Sequence, residues 1–395
     1  MRSGLRNIYI YTFFYTFLLL NPIWVLYLLN IGYSIFYVTV LDVVFYLTIV
    51  LTSIPMGRIT DSIGRKKALF ISSILTGVGI IFFGLFQSFL GIAISYVVWG
   101  IGVAINSVAL ESVTYEYTMS HEMKYLQIIG VVNFLSAISV AIASLLGGYI
   151  GEYIGLKVVV ILTAFVVLSS SLFTLKLKER KRELTRNKFS LKLGNYIKDR
   201  RILSIILLRV ALLLNINMML IFKQPYYKEM GIDTGMIGVI FFVDVLLRGL
   251  ASLNTHRLAF IARNRFFAML LFTSLTFFTI YIPGLIENWI SLVFLILNSV
   301  IFGFYSNILS EEVNELVPSE VRATVLSVIF LVSSLLTAVA EPFLGYSATV
   351  IGLEKTLLIF SMIFLILSTL AIFIHIMGKD STSFKLELDK KGSQS

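Results

Sequence analysis

The chain has 395 residues, 58% hydrophobic and only 14% charged, with a mean hydropathy of +0.92 and a formal net charge of +10. That balance excludes an ordinary soluble domain. The absence of cysteine excludes disulfides, cysteine–zinc sites and thiol catalysis.

Twelve apolar stretches follow one another, each long enough to cross a hydrocarbon layer about 30 Å thick. They lie at 8–30, 35–57, 67–87, 89–111, 125–150, 154–176, 202–223, 235–255, 266–286, 289–310, 323–349 and 354–378. A β-barrel would instead show strands of about ten residues with alternating polarity. The prediction is an all-α membrane protein with twelve transmembrane helices. Span 1 follows Arg2 and Arg6 but has no small-residue cleavage site, so it reads as a retained helix rather than a signal peptide. Its Asn21-Pro22 pair either bends the helix or lines a cavity.

Asp42 sits inside span 2, where an acid is costly unless it faces a partner or water. Spans 2 and 3 are joined by Gly57-Arg58-Ile59-Thr60-Asp61-Ser62-Ile63-Gly64-Arg65-Lys66. Two glycines bracket an acid and precede paired bases, which makes a tight turn whose charges can tie helix ends together. The G-x-x-x-D-x-x-G-R-K pattern resembles the signature loop of the major facilitator superfamily. The resemblance implies two six-helix halves with a substrate cavity between them near the membrane midplane. It also implies a gating role for Gly57, Asp61, Gly64, Arg65 and Lys66. The plainer alternative is helix packing and topology alone, although positive-inside sorting has no need of Asp61.

Span 4 ends in Glu111 and Glu116, and lacks the intramembrane arginine of many proton-coupled members of the family. Span 5 carries Ala143-Ser144-Leu145-Leu146-Gly147-Gly148, which lacks the proline of the family's G-P-x-x-G-G antiporter motif. The polar link after span 6 holds Phe189, Leu193, Tyr196 and Ile197 at helical spacing among basic residues. This pattern suggests an interfacial helix, whose bases either bind anionic lipid or set topology.

Span 7 contains Arg209, Asn215 and Asn217; span 8 contains Asp244 and Arg248. The four-residue spacing puts Asp244 and Arg248 on one helix face, either as a self-satisfied pair or, with Arg209, as a site of excess positive charge for an anionic substrate group. The loop after span 8 repeats the first signature loop weakly, with Thr255, Ala259 and Ala262 in place of Gly57, Asp61 and Gly64. Glu311, Glu312 and Glu315 end span 10 near the bases Arg263, Arg265 and Arg322, and ion pairs between the halves are one use for them. Glu341 lies in span 11 before Pro342. The family places spans 2 and 11 opposite each other, so Asp42 and Glu341 are candidates for carrying a coupling proton, polar packing being the alternative. His121, His256 and His375 form no metal or nucleophile constellation. No Walker loop is present, so no ATP-driven pump or enzyme is expected.

Alternating the loops puts 26 of the 32 Lys and Arg on one side and four, Lys157, Lys223, Lys228 and Lys355, on the other. The bias predicts cytoplasmic N- and C-termini, and it explains the net charge without nucleic acid. Features recur 198 residues apart: Arg65 with Arg263, Lys124 with Arg322, and Gly147 with Gly345. The expected organisation is a six-helix half at 1–177, a basic link at 178–201, a second half at 202–378 and a polar, mobile tail at 379–395.

The resemblance and these charges together imply a secondary transporter of a small organic solute, working by proton-coupled efflux. Uptake of an organic anion or metabolite is one alternative, and a receptor or interaction protein without flux is another. Membrane lipids and a proton are the expected partners beside the solute, with no metal and no cofactor.

Overall fold

The computed structural model describes the backbone of residues 2–119, 125–177, 200–258, 261, 264–317 and 319–392. The described residues form helices and turns without a strand: α1 (Arg2–Tyr15), α2 (Trp24–Asn30), α3 (Ile35–Ile63), α4 (Arg65–Leu85), α5 (Phe89–Met119), α6 (Tyr125–Tyr153), α7 (Leu156–Thr174), α8 (Arg200–Glu229), α9 (Thr234–Leu253), a 3-10 turn (Thr255–Leu258), α10 (Arg265–Leu285), α11 (Trp289–Leu316), α12 (Ser319–Ile351) and α13 (Leu353–Gly392). The eleven helices α3 to α13 are each long and apolar enough to cross a membrane. With α1 and α2 together forming span 1, the twelve-span pattern is complete.

Two segments differ from expectation. Span 1 is not continuous: the chain leaves helical geometry between Tyr15 and Trp24, around Asn21-Pro22. Proline removes one amide donor and disfavours helical geometry in the residue before it. Beyond Lys379, where the last span was expected to give way to a polar tail, the backbone continues as α13 to Gly392. No proline or glycine interrupts residues 379–391, so neither strong helix breaker stops α13 before Gly392. The proposed interfacial helix of the basic link falls outside the described residues.

Contacts divide the chain into two compact units, one of Met1–Arg186 with Ile221–Gly249 and one of Asn187–Leu220 with Leu250–Ser395. The borders fall inside α8 and α9 rather than in the basic link, because the far end of α8 and most of α9 pack with the first six spans.

Within the first unit, α4 packs on α5 and α7, and α3 on α5. Without a hydrophobic drive between lipid-bathed helices, small residues allow this close approach. A Cβ at Gly79 would come within 2.6 Å of the Trp99 amide nitrogen, and one at Gly148 within 2.5 Å of Gly238 Cα. Gly147 meets the Leu19 carbonyl in the break of span 1. Gly147 and Gly148 therefore admit two different neighbours. In the second unit α10 packs on α13 and α11, with Gly284 against the Glu354 carbonyl. Hydroxyls inside the spans bond back to their own helix, as Thr48 does to the Val44 carbonyl at 2.7 Å, so they cost little in a dry environment.

Candidate functional site

The break in span 1 leaves backbone groups that lipid cannot satisfy, and neighbouring helices supply the partners. The Leu20 amide donates to Thr163 Oγ1 at 3.1 Å, and Asn21 Nδ2 donates to Ser144 Oγ at 3.3 Å. Gln224 of α8 holds both sides of Pro22: its Nε2 donates to the Asn21 carbonyl at 3.1 Å, and its Oε1 accepts from the Val25 amide at 3.0 Å. Gln224 is fully buried.

One residue earlier on α8, Lys223 Nζ lies 2.8 Å from Asp244 Oδ1 of α9, and both side chains are buried. Asp244 lies ten residues from the start of α9, about 15 Å along the helix and so near the middle of a span. Arg248 stands one turn further on, half-buried, with no hydrogen bond or ion pair seen among the described residues. The expected partner exchange is thus different: Asp244 takes Lys223, while Arg248 is left beside the pair. Asp42 is buried on α3 within electrostatic reach of Tyr96, whose ring packs among Phe45, Phe83 and Trp99.

In the second unit, Glu341 is buried on α12 and accepts from Asn217 Nδ2 of α8 at 2.6 Å. Its other carboxylate oxygen, Oε2, is buried with no hydrogen-bond partner among the described residues. Two residues before Asn217, Asn215 bonds Asn298 at 3.2 Å, and Asn298 donates to Thr279 Oγ1 at 2.9 Å. Arg209, nine residues into α8, donates to Ser310 Oγ at 2.9 Å, and its Nε is buried without a partner among the described residues. A half-buried guanidinium held by a hydroxyl rather than an acid keeps its positive charge uncompensated locally.

The signature loop is a one-residue bend at Gly64, between Ile63 at the end of α3 and Arg65 at the start of α4. Gly64 has φ +91 and ψ 147, a region essentially closed to side chains. Gly64→Ala is expected to cost about 1–3 kcal/mol, read as a lower melting temperature of the purified protein. Arg65 pairs with Glu116 of α5 and lies 3.7 Å from Asp61, and Lys66 Nζ donates to the Leu175 carbonyl at 2.7 Å. Gly57 meets little: an added Cβ would only touch Val108 at 3.9 Å, so close helix approach is not its function in this conformation.

In the second loop, Ala259, Ala262 and Arg263 lie outside the described residues. Arg265 gathers the acids of α11, with Glu311 at 2.9 Å, Glu312 at 3.1 Å and Glu315 at 2.6 Å. Buried His375 approaches the same Glu312 at 3.6 Å and Ser204 Oγ at 2.9 Å. Each described ion pair of the two loops lies within its own unit.

Two residues were missed from sequence. Lys223 was counted with an outer loop because Lys223-Gln224-Pro225 ended the apolar run, whereas α8 continues to Glu229 with Pro225 inside it. Tyr227, one turn after Lys223 on the same face, lies beyond the predicted span 202–223 but within α8. The signal that could have found both is helical spacing carried past the proline.

The family model described as Major Facilitator Superfamily matches residues 8–340. The fold resembles a crystal structure of a mutant of the nucleoside transporter NupG, with a TM-score of 0.82 at 12% identity over 94% of this chain and 99% of that one. A bacterial homologue of the human lysosomal transporter Spinster, inward-facing and unoccupied, gives 0.73 at 15% identity over 95% and 98%. A bacterial homologue of the iron transporter ferroportin, also inward-facing, gives 0.69 at 15% identity over 95% and 98%. Comparison with curated proteins by sequence gives no match.

Proposed function

We propose, from the premise that the chain belongs to the major facilitator superfamily, that this membrane transporter exports a small organic solute in exchange for protons by alternating access. Membership makes it a transporter rather than an enzyme; substrate, direction and coupling are the proposal. In this reading the halves are 1–177 and 202–378, the link 178–201 and tail 379–395 are cytoplasmic, and both termini face the cytoplasm, in line with the basic loops.

The observation that carries proton coupling is Glu341, a buried carboxylate with one oxygen held by Asn217 and the other without a partner among the described residues. A bare ionised carboxylate is expensive in the middle of a span, so proton uptake and release are natural states of this group. Asp42 is the second candidate carrier, and Arg209, Asp244 and Arg248 are the proposed substrate contacts. The signature loop serves as the gate: Arg65 joins α4 to α5 through Glu116, with Gly57, Asp61, Gly64 and Lys66 around it.

The test is solute flux driven by an imposed pH gradient in liposomes, across a panel of small organic solutes. Gradient-driven flux supports the proposal; solute binding without flux or counterflow favours a receptor. Asp61→Asn is expected to insert normally and to change stability by less than about 1 kcal/mol, since its pair is half exposed. Transport should nevertheless fall to the level of protein-free vesicles, and an unchanged rate would remove Asp61 from the gate.

A further inference from the structure

We propose that the faces of α8 and α9 carrying Lys223, Tyr227, Asp244 and Arg248 bind one carboxylate group of the cargo, held by Tyr227 and Arg248 beside the Lys223–Asp244 pair. The proposal rests on the transporter reading and names the chemistry of its solute. Residues 223 and 227 are one turn apart on α8, as are 244 and 248 on α9, so each helix offers one face. The 2.8 Å pair of Lys223 with Asp244 fixes how the two faces meet. Tyr227 is fully buried, its hydroxyl has no hydrogen-bond partner among the described residues, and it lies within electrostatic reach of Asp244. Arg248 lies within electrostatic reach of Lys223.

The site therefore holds two cations, one acid and an unused hydroxyl donor. An unmade hydrogen bond on a buried hydroxyl costs about 1–3 kcal/mol, and an arginine inside a span calls for an anion or water. A carboxylate is an acceptor with two oxygens. It can take the Tyr227 proton donor on one oxygen and the guanidinium fork of Arg248 on the other, and it brings the local charge to zero. A neutral solute leaves the cation uncompensated, and a cationic one is repelled. Asp244 keeps Lys223 satisfied while the site is empty, since a buried ammonium without a partner would be strongly destabilising. The cargo carboxylate lies beside this pair and shares the field of Lys223 with Asp244, so neither acid is left as a stranded buried charge.

The test uses the purified full chain with acetate, pyruvate, lactate and benzoate, each beside its uncharged amide, and reads thermal stabilisation. At least one carboxylate should stabilise the protein while its amide does not. Arg248→Gln and Tyr227→Phe should each weaken that carboxylate about 10-fold or more, with Tyr227→Phe leaving the empty protein at least as stable. Because Lys223→Gln alone strands Asp244, the pair is replaced together: Lys223→Gln with Asp244→Asn should fold and lose the preference for carboxylate over amide. Stabilisation by no carboxylate, equal stabilisation by amides, or variants that bind as wild type would each overturn the site. Counterflow in liposomes separates the two readings. Carboxylate binding without counterflow keeps the site and removes transport, whereas counterflow of an uncharged solute indifferent to these substitutions keeps transport and removes the site.

Discussion

Glu341→Gln is expected to abolish proton-driven solute movement while leaving solute counterflow intact. The substitution preserves shape, and the new amide oxygen still accepts the hydrogen bond that Asn217 gives at 2.6 Å. What disappears is the ability to gain and lose a proton at a buried position. Removing a buried ionisable group also removes its desolvation cost, so the variant should be at least as stable as wild type in detergent. Asn217→Leu is the informative contrast. It leaves both oxygens of Glu341 without the described donor and should destabilise the protein by about 1–3 kcal/mol. If Glu341→Gln still concentrates solute along a pH gradient, Glu341 is a packing residue and the coupling site lies elsewhere.

Gln224→Leu is expected to have the largest effect on stability of any single side chain in the break of span 1. Leucine fills a similar volume but strands the Asn21 carbonyl and the Val25 amide, both of which meet Gln224 at about hydrogen-bond length, 3.1 and 3.0 Å. Two stranded backbone groups cost about 2–6 kcal/mol together. Gln224→Glu is the milder contrast, because a carboxyl buried this deeply stays protonated, so one oxygen still accepts from Val25 and the acid O–H can donate to Asn21. Its loss should fall between wild type and Gln224→Leu in thermal unfolding. Equal stability of all three would mean that the break is satisfied without α8.

The spans themselves were readable, because hydropathy over about 20 residues is a local property. Eleven of them appear as single helices of spanning length. The interruption of span 1 was not readable as a break. Asn21-Pro22 marked a bend, but whether a helix bends or opens depends on partners such as Thr163, Ser144 and Gln224, which are distant in sequence. The same reason hid the partner of Asp244. Helical spacing offered Arg248, one turn away, whereas the structure supplies Lys223 from another helix. Glu341 was identifiable as an acid inside a span; that Asn217 holds only one of its oxygens required the packing of α8 on α12. In the loops, the bases and acids were evident as groups, and the selection of Glu116 for Arg65 and of three glutamates for Arg265 came from helix register.

Proton exchange requires solute and proton to move in opposite directions through one protein. Liposomes loaded with a transported solute and a pH-sensitive dye measure both at once, with no gradient except that of the solute. Outward solute movement should acidify the interior in wild type and fail to do so in Glu341→Gln. Solute efflux from wild type with no change of internal pH would contradict proton exchange and leave a carrier of another kind.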